Sequence, residues 1–196
     1  MPNRRLTLAF LAAALALTVP VTASAQTTDV AGVKFDNEIA LRGSKLLLNG
    51  TGIRTKFVIK VYAAGLYVPT RLGTPEAVWD TKAPRLLKVV MLREVDADDM
   101  GKLLTSGMEK NTSREEFARA APGTARLLEL FAAKKKLAPG DSFSIEWAPG
   151  AGTVISINGK AEEPIAEPDF FASLMKIWLG RSPADDALKD ALLGKG

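Results

Sequence analysis

From Arg85 to Val95 the chain reads RLLKVVMLREV, an almost unbroken apolar run. A strand covered on both faces is expected to read this way, so the run predicts a strand in the middle of a sheet. Other strands must then flank it and a further layer must cover it.

The neighbouring segments supply both. Val33 to Phe35 and Glu38 to Leu41 read as short strands with a turn at Asp36-Asn37, and the preceding Gln26 to Asp29 is polar and expected to fray. Lys45 to Leu48 is a short apolar run ended by the turn dipeptide Asn49-Gly50, and Lys56 to Val68 is the next strand. In it Gly65 predicts a bulge or a close approach. Pro69 to Pro84 reads as loop around a short helical piece. After the central run, Asp96, Asp98 and Asp99 favour a helix start, with Met100, Leu103, Leu104 and Met108 at helical spacing. Thr112-Ser113-Arg114-Glu115 fits a capping box, and Pro122-Gly123 predicts a break between two further helices. Asp141 to Trp147 and Thr153 to Ile157 form an antiparallel hairpin followed by a turn at Asn158-Gly159. A helix from Pro168-Asp169 to Gly180 and a short one over Ala184 to Leu193 end the chain. Strands and helices come in blocks, which predicts an α+β fold with an antiparallel sheet.

Composition removes much chemistry. The chain has no cysteine and no histidine, so disulfides, thiolate nucleophiles, the commonest metal ligand and a serine–histidine–aspartate triad are all excluded. No metal or cofactor is expected. Acidic and basic residues are interleaved, which makes nucleic acid an unexpected partner. Residues 1–25 read as a secretory signal peptide: Arg4 and Arg5, an apolar run from Leu6 to Val19, then Ala23 and Ala25 before a cut at Gln26. The run is shorter than the roughly 20 residues that a membrane span needs. The expectation is one domain over residues 26–196, without stable membrane insertion, in the periplasm or secreted.

Residues 50–69, GTGIRTKFVIKVYAAGLYVP, place a glycine-flanked arginine before a strand of the form K-V-Y-A-x-G-x-Y. This segment resembles the chalcone isomerase-like superfamily, and the strand 85–95, the helical stretch 96–135, the hairpin 141–157 and the ending FFASLMKIWLGRSPADDALKDALLG fall where that family has them. The resemblance is greatest to its bacterial branch with signal peptides. It implies an open-faced β-sandwich, a long antiparallel sheet with helices on one face. Arg54 matches the family arginine; Tyr62 stands at the family's threonine position, and Ile177 stands near a later threonine. The plant enzymes' catalytic tyrosine has no counterpart in residues 96–135, which argues against flavanone formation. Arginine with tyrosine instead resembles the fatty-acid-binding members, where these residues hold the ligand carboxylate.

The resemblance therefore implies a non-catalytic protein that binds a fatty acid or another amphiphilic carboxylate through Arg54 and Tyr62. A guanidinium fork and a phenol are suited to that anion. Candidates to line an acyl cleft are Leu103, Leu104, Leu127, Phe131, Phe171, Leu174 and Trp178, each equally suited to plain core. On a straight strand Arg54 and Tyr62 would lie about 26 Å apart, so Gly50 and Gly52 would have to let the Gly50–Lys56 segment fold back. Otherwise Arg54 is a turn arginine and Tyr62 a sheet tyrosine. Arg93 shares the period-two face of Leu87, Val89 and Met91; paired with Glu94 or Asp96 it is structural, and unpaired it implies an anionic ligand. Lys134, Lys135 and Lys136 read as a solvated helix end. The alternatives are an isomerase of the intramolecular lyase type, with Arg54 stabilising an oxyanion and Tyr62 exchanging a proton, and an envelope interaction module whose cleft is filled core.

Overall fold

The computed structural model describes residues 26–195. The secretory segment expected at residues 1–25 lies outside them.

A seven-stranded sheet, antiparallel at every pairing, organises the molecule. It is built from β3 (Glu38–Leu41), β4 (Ser44–Lys56), β5 (Ile59–Val68), β6 (Arg85–Met91), β9 (Ser142–Ala148), β10 (Gly152–Ile157) and β11 (Lys160–Ala161), in the spatial order β11-β10-β9-β6-β5-β4-β3. The apolar run Arg85–Met91 is indeed interior, registered Leu66↔Leu87 on one side and Leu87↔Ile145 on the other. Two smaller pairs, β1 (Thr27–Val30) with β2 (Val33–Asp36) and β7 (Val95–Asp96) with β8 (Lys136–Leu137), lie outside the sheet.

The helices are α1 (Pro75–Asp80), α2 (Ala97–Asn111), α3 (Arg114–Ala132), α4 (Phe170–Leu179) and α5 (Asp186–Leu192). Their apolar sides meet one face of the sheet. Met100, Leu104 and Met108 of α2, Leu127 and Phe131 of α3, and Phe171, Leu174 and Trp178 of α4 are buried with Leu87, Val89 and Phe143 of the strands. Asp96 caps α2 by accepting from the Asp98 and Asp99 amides, and a reciprocal capping box starts α3. The box sits on Ser113 and Glu116, one residue beyond the pair the sequence suggests.

The opposite face carries a second, smaller cluster, in which Phe35 packs on Leu46, Leu48, Ala63, Tyr67 and Val90. This changes the N-terminal expectation. Gln26–Asp29 does not fray: β1 pairs with β2 across an Ala31-Gly32 turn whose residues both have positive φ. Phe35 then drops onto Gly65, where an added Cβ would lie 2.7 Å from the Phe35 ring. The close approach expected at Gly65 is thus real. β2 and β3 do not form a hairpin, since β3 pairs with β4 through an Arg42-Gly43 turn.

Two punctuation signals yield to packing. Asn49-Gly50 is a β-bulge inside β4, because the buried Asn49 amide donates to the carbonyls of Leu72 and Leu192 and accepts from the Leu72 amide. Pro122-Gly123 does not break α3. Pro122 lies on the exposed side, where water can satisfy the freed carbonyl, while Gly123 lets Phe170 and Ile165 close against the helix. Lys136 is not a helix end either, but part of β8 and paired with Glu94 at 2.7 Å.

Candidate functional site

Arg54 and Tyr62 meet because β4 and β5 form a tight hairpin. Lys56 pairs with Ile59, so the chain reverses over Phe57 and Val58, not at Gly50 and Gly52 as the sequence suggests. Those glycines serve packing: an added Cβ on Gly50 would lie 1.9 Å from the Ala191 carbonyl oxygen of α5. The register then shifts between Thr55↔Lys60 and Arg54↔Tyr62, leaving Val61 as an extra residue on β5. Without that bulge Arg54 would face Val61. With it, Arg54 and Tyr62 are directly opposed and project from the same, helical face.

Tyr62 is buried, 5% exposed, and its phenolic oxygen accepts the Trp178 Nε1–H bond at 2.9 Å. Trp178 itself is 1% exposed, so it fixes the ring from behind. Burial pushes the Tyr62 hydroxyl up to about 12, with the Arg54 charge and the Trp178 bond pulling the other way and Asp185 adding to the rise. The phenol keeps its proton at neutral pH. Since Trp178 can only donate, the Tyr62 O–H remains available to an acceptor.

Both residues line a cleft of about 520 Å³ between the β4–β5 hairpin, the segment 93–96, α2, and the connection from α4 to α5. One wall is apolar, with Val61, Met100, Leu103, Leu104 and Ile177; Gly107 lets α2 approach Ile177 there. The rim is charged and its two signs are not equivalent. Among the described residues Arg54, Lys56, Arg93 and Lys110 line the cleft without an ion pair, whereas the carboxylates beside them are engaged. Glu94 pairs with Lys136, Asp99 lies 3.6 Å from Lys102, and Asp96 caps α2. Asp185, beyond the hairpin, accepts from the Thr55 and Leu188 amides. The cleft therefore presents free cations and a protonated phenol over an apolar wall.

A family model for chalcone isomerase-like proteins matches residues 27–194. The chain belongs to that family. Its fold is also that of solved structures, among them a fatty-acid binding protein from Arabidopsis thaliana. That protein superposes with a TM-score of 0.61 at 14% identity, over 83% of this chain and 92% of its own. No curated protein matches the sequence.

Within this chalcone isomerase-like fold the predicted residues separate. Arg54, Tyr62 and Arg93 face the same cleft. Arg93, however, is exposed and not the buried arginine that period-two counting implies, because β6 ends at Met91 and the chain bends away. The buried arginine of that strand is Arg85, 3% exposed, which donates to the backbone carbonyls of Trp79, Thr81 and Ala83 and stacks on Trp147 and Phe171. Of the expected lining, Leu103 and Leu104 reach the cleft; Leu127, Phe131, Phe171, Leu174 and Trp178 are core. Ile177 lines the cleft as well. Sequence reasoning missed Lys56 and Lys110, whose only signal is unremarkable surface charge. It also missed Trp178 as the support of Tyr62, a contact across 116 positions with no local signature. No group of residues suited to hold a metal ion occurs among the described residues.

Proposed function

We propose that the protein is a non-catalytic binding protein for a fatty acid or similar amphiphilic carboxylate. The guanidinium of Arg54 and the hydroxyl of Tyr62 anchor the carboxylate, Arg93 adds charge at the rim, and the chain lies along Val61, Met100, Leu104 and Ile177. One observation carries this reading: an unpaired arginine directly opposite a protonated, buried tyrosine on the wall of an open cleft. A volume near 520 Å³ is within the range of small-molecule sites. Likeness to a protein whose name says that it binds fatty acids supports the same assignment. A proton-abstracting role for Tyr62 fits less well, since a phenol held near 12 donates a hydrogen bond at neutral pH but is no base. In this reading residues 1–25 export the chain, and binding takes place in the periplasm or outside the cell.

Native mass spectrometry of the gently purified protein should show a co-purifying acyl-chain carboxylate. Arg54→Ala should weaken fatty-acid binding about tenfold to a hundredfold, the equivalent of a charge-assisted hydrogen bond of roughly 1.5–3 kcal/mol. Binding that is unchanged in Arg54→Ala would sink the assignment.

A further inference from the structure

The tip of the β4–β5 hairpin is the most exposed apolar surface of the described residues. Phe57 is 91% exposed, Val58 92% and Ile59 47%. A two-residue hairpin turn with positive φ at its first position ordinarily places glycine there, yet Phe57 holds that position at φ 57°. The fold gains nothing from this choice: the turn is strained by a large side chain, and the ring is left in water. Leu103 of α2, 57% exposed, is a further apolar residue on the cleft itself.

The charge carried by the hairpin itself has one sign. Residues 53–62 contain Arg54, Lys56 and Lys60 and no acidic residue. Lys56 and Lys60 are exposed, flank the apolar tip on its two strands, and enter no ion pair among the described residues. An aromatic and an aliphatic side chain projecting past paired lysines is the arrangement that suits a lipid–water interface. The apolar groups enter the acyl boundary while the lysine stems keep their ammonium groups at the phosphates. Lysines on both strands of the tip, with the Asp185 carboxylate further down the hairpin engaged by the Thr55 and Leu188 amides, select an anionic bilayer over a neutral one.

We propose that the β4–β5 hairpin tip docks onto an anionic phospholipid bilayer, with Phe57 and Val58 inserted and Lys56 and Lys60 on the lipid phosphates. Because Lys56 and Arg54 also line the cleft, docking brings the cleft edge to the membrane surface. The proposal stands on the tip alone and does not depend on which ligand the cleft takes.

Co-sedimentation of the full chain with vesicles tests it, using phosphatidylcholine mixed with phosphatidylglycerol against phosphatidylcholine alone. The chain should bind the anionic vesicles more tightly, and the preference should fade as salt is raised. The double variant Phe57→Ser, Val58→Ser should weaken anionic-vesicle binding at least about tenfold. The variant shares residues 1–25 with the parent chain, so the difference reads the tip. Its circular dichroism and fatty-acid affinity should be unchanged, which separates failure here from failure of the carboxylate reading. Charge reversal by Lys56→Glu, Lys60→Glu should abolish the preference for anionic vesicles. Equal vesicle binding by parent and double variant overturns the proposal. So does a parent chain that ignores vesicles but self-associates through the tip, with the double variant monomeric in sedimentation velocity.

Discussion

Arg85 and Arg54 project from the helical face of strands β6 and β4 of one sheet, and their surroundings are opposite. Arg85 is enclosed: three backbone carbonyls accept from it, two aromatic rings flank it, and burial lowers its pKa to about 10, still charged at neutral pH. Arg54 is half-buried, faces a hydroxyl that keeps its proton, and has no carboxylate partner among the described residues. The fold engages both terminal nitrogens of the first arginine, leaving only its buried Nε without a partner, and leaves the second open to the cleft. An internal cation held by the chain's own carbonyls and rings belongs to the architecture; one left open beside a cleft is available to an anion from outside.

The largest effect should come from removing the enclosed one. Arg85→Ala removes three hydrogen bonds and the stacking on Trp147 and Phe171, leaving the carbonyls of Trp79, Thr81 and Ala83 without their donor. We expect a loss of roughly 3–5 kcal/mol in denaturant unfolding. Arg85→Lys should recover only part of it, since an ammonium cannot span three acceptors and two rings as a guanidinium does. Fatty-acid affinity of the folded fraction should be unchanged. A loss below about 1 kcal/mol would remove the contrast with Arg54.

Next in size is the pair of tyrosines, the only two in the chain, on opposite faces of β5. Burial pushes both up to about 12 from 10, and Asp36 adds to the rise at Tyr67. Ionisation is disfavoured in the folded state, so the unfolded chain gives up its phenolic protons first. The stability that each raised value reflects is complete below pH 10 and is lost as the pH rises through about 12. The loss should be of order 2 kcal/mol per tyrosine. Phenolate absorbance of the folded protein should show midpoints near 12, and a midpoint near 10 for either would show that residue open to water. Tyr62→Phe should halve the amplitude. It should also cost about 1–3 kcal/mol of stability, because the buried Trp178 Nε1–H loses its acceptor.

The sequence made the fold class legible because its central signals are periodic. The run at Arg85–Met91, the alternation over Ser142–Ile157 and the helical stripes of α2 and α4 each report which side is buried. It misled where one residue's meaning depends on distant partners. Asn49-Gly50 looks like a turn until the carbonyls of Leu72 and Leu192 claim the Asn49 amide. Pro122 looks like a break until Gly123 meets Phe170. The site was half legible. Arg54 and Tyr62 can be picked out, but their separation looks too great because Phe57-Val58 carries no turn chemistry, so the hairpin that joins them is hidden. Period-two counting put Arg93 on the correct side of a strand that ends before reaching it, while Arg85, six residues before the end of the same strand, took the buried place.

The smallest effect is expected at Arg93. Like Arg54 it lines the cleft and enters no ion pair among the described residues, but it is exposed where Arg54 is half-buried beside Tyr62. A charge in water acts through a high dielectric and is screened by salt, so lacking a partner is not sufficient to make an anchor. Arg93→Ala should weaken fatty-acid binding only about twofold to threefold at low ionic strength, and the difference should vanish in high salt. The Arg54→Ala loss should persist in high salt, because under the proposed function the Arg54–Tyr62 pair would hold the anion partly out of water. Displacement titrations of both variants at two salt concentrations distinguish the two arginines. If Arg93→Ala loses as much as Arg54→Ala, and keeps that loss in high salt, the carboxylate sits at the rim and the Arg54–Tyr62 pair is not its seat.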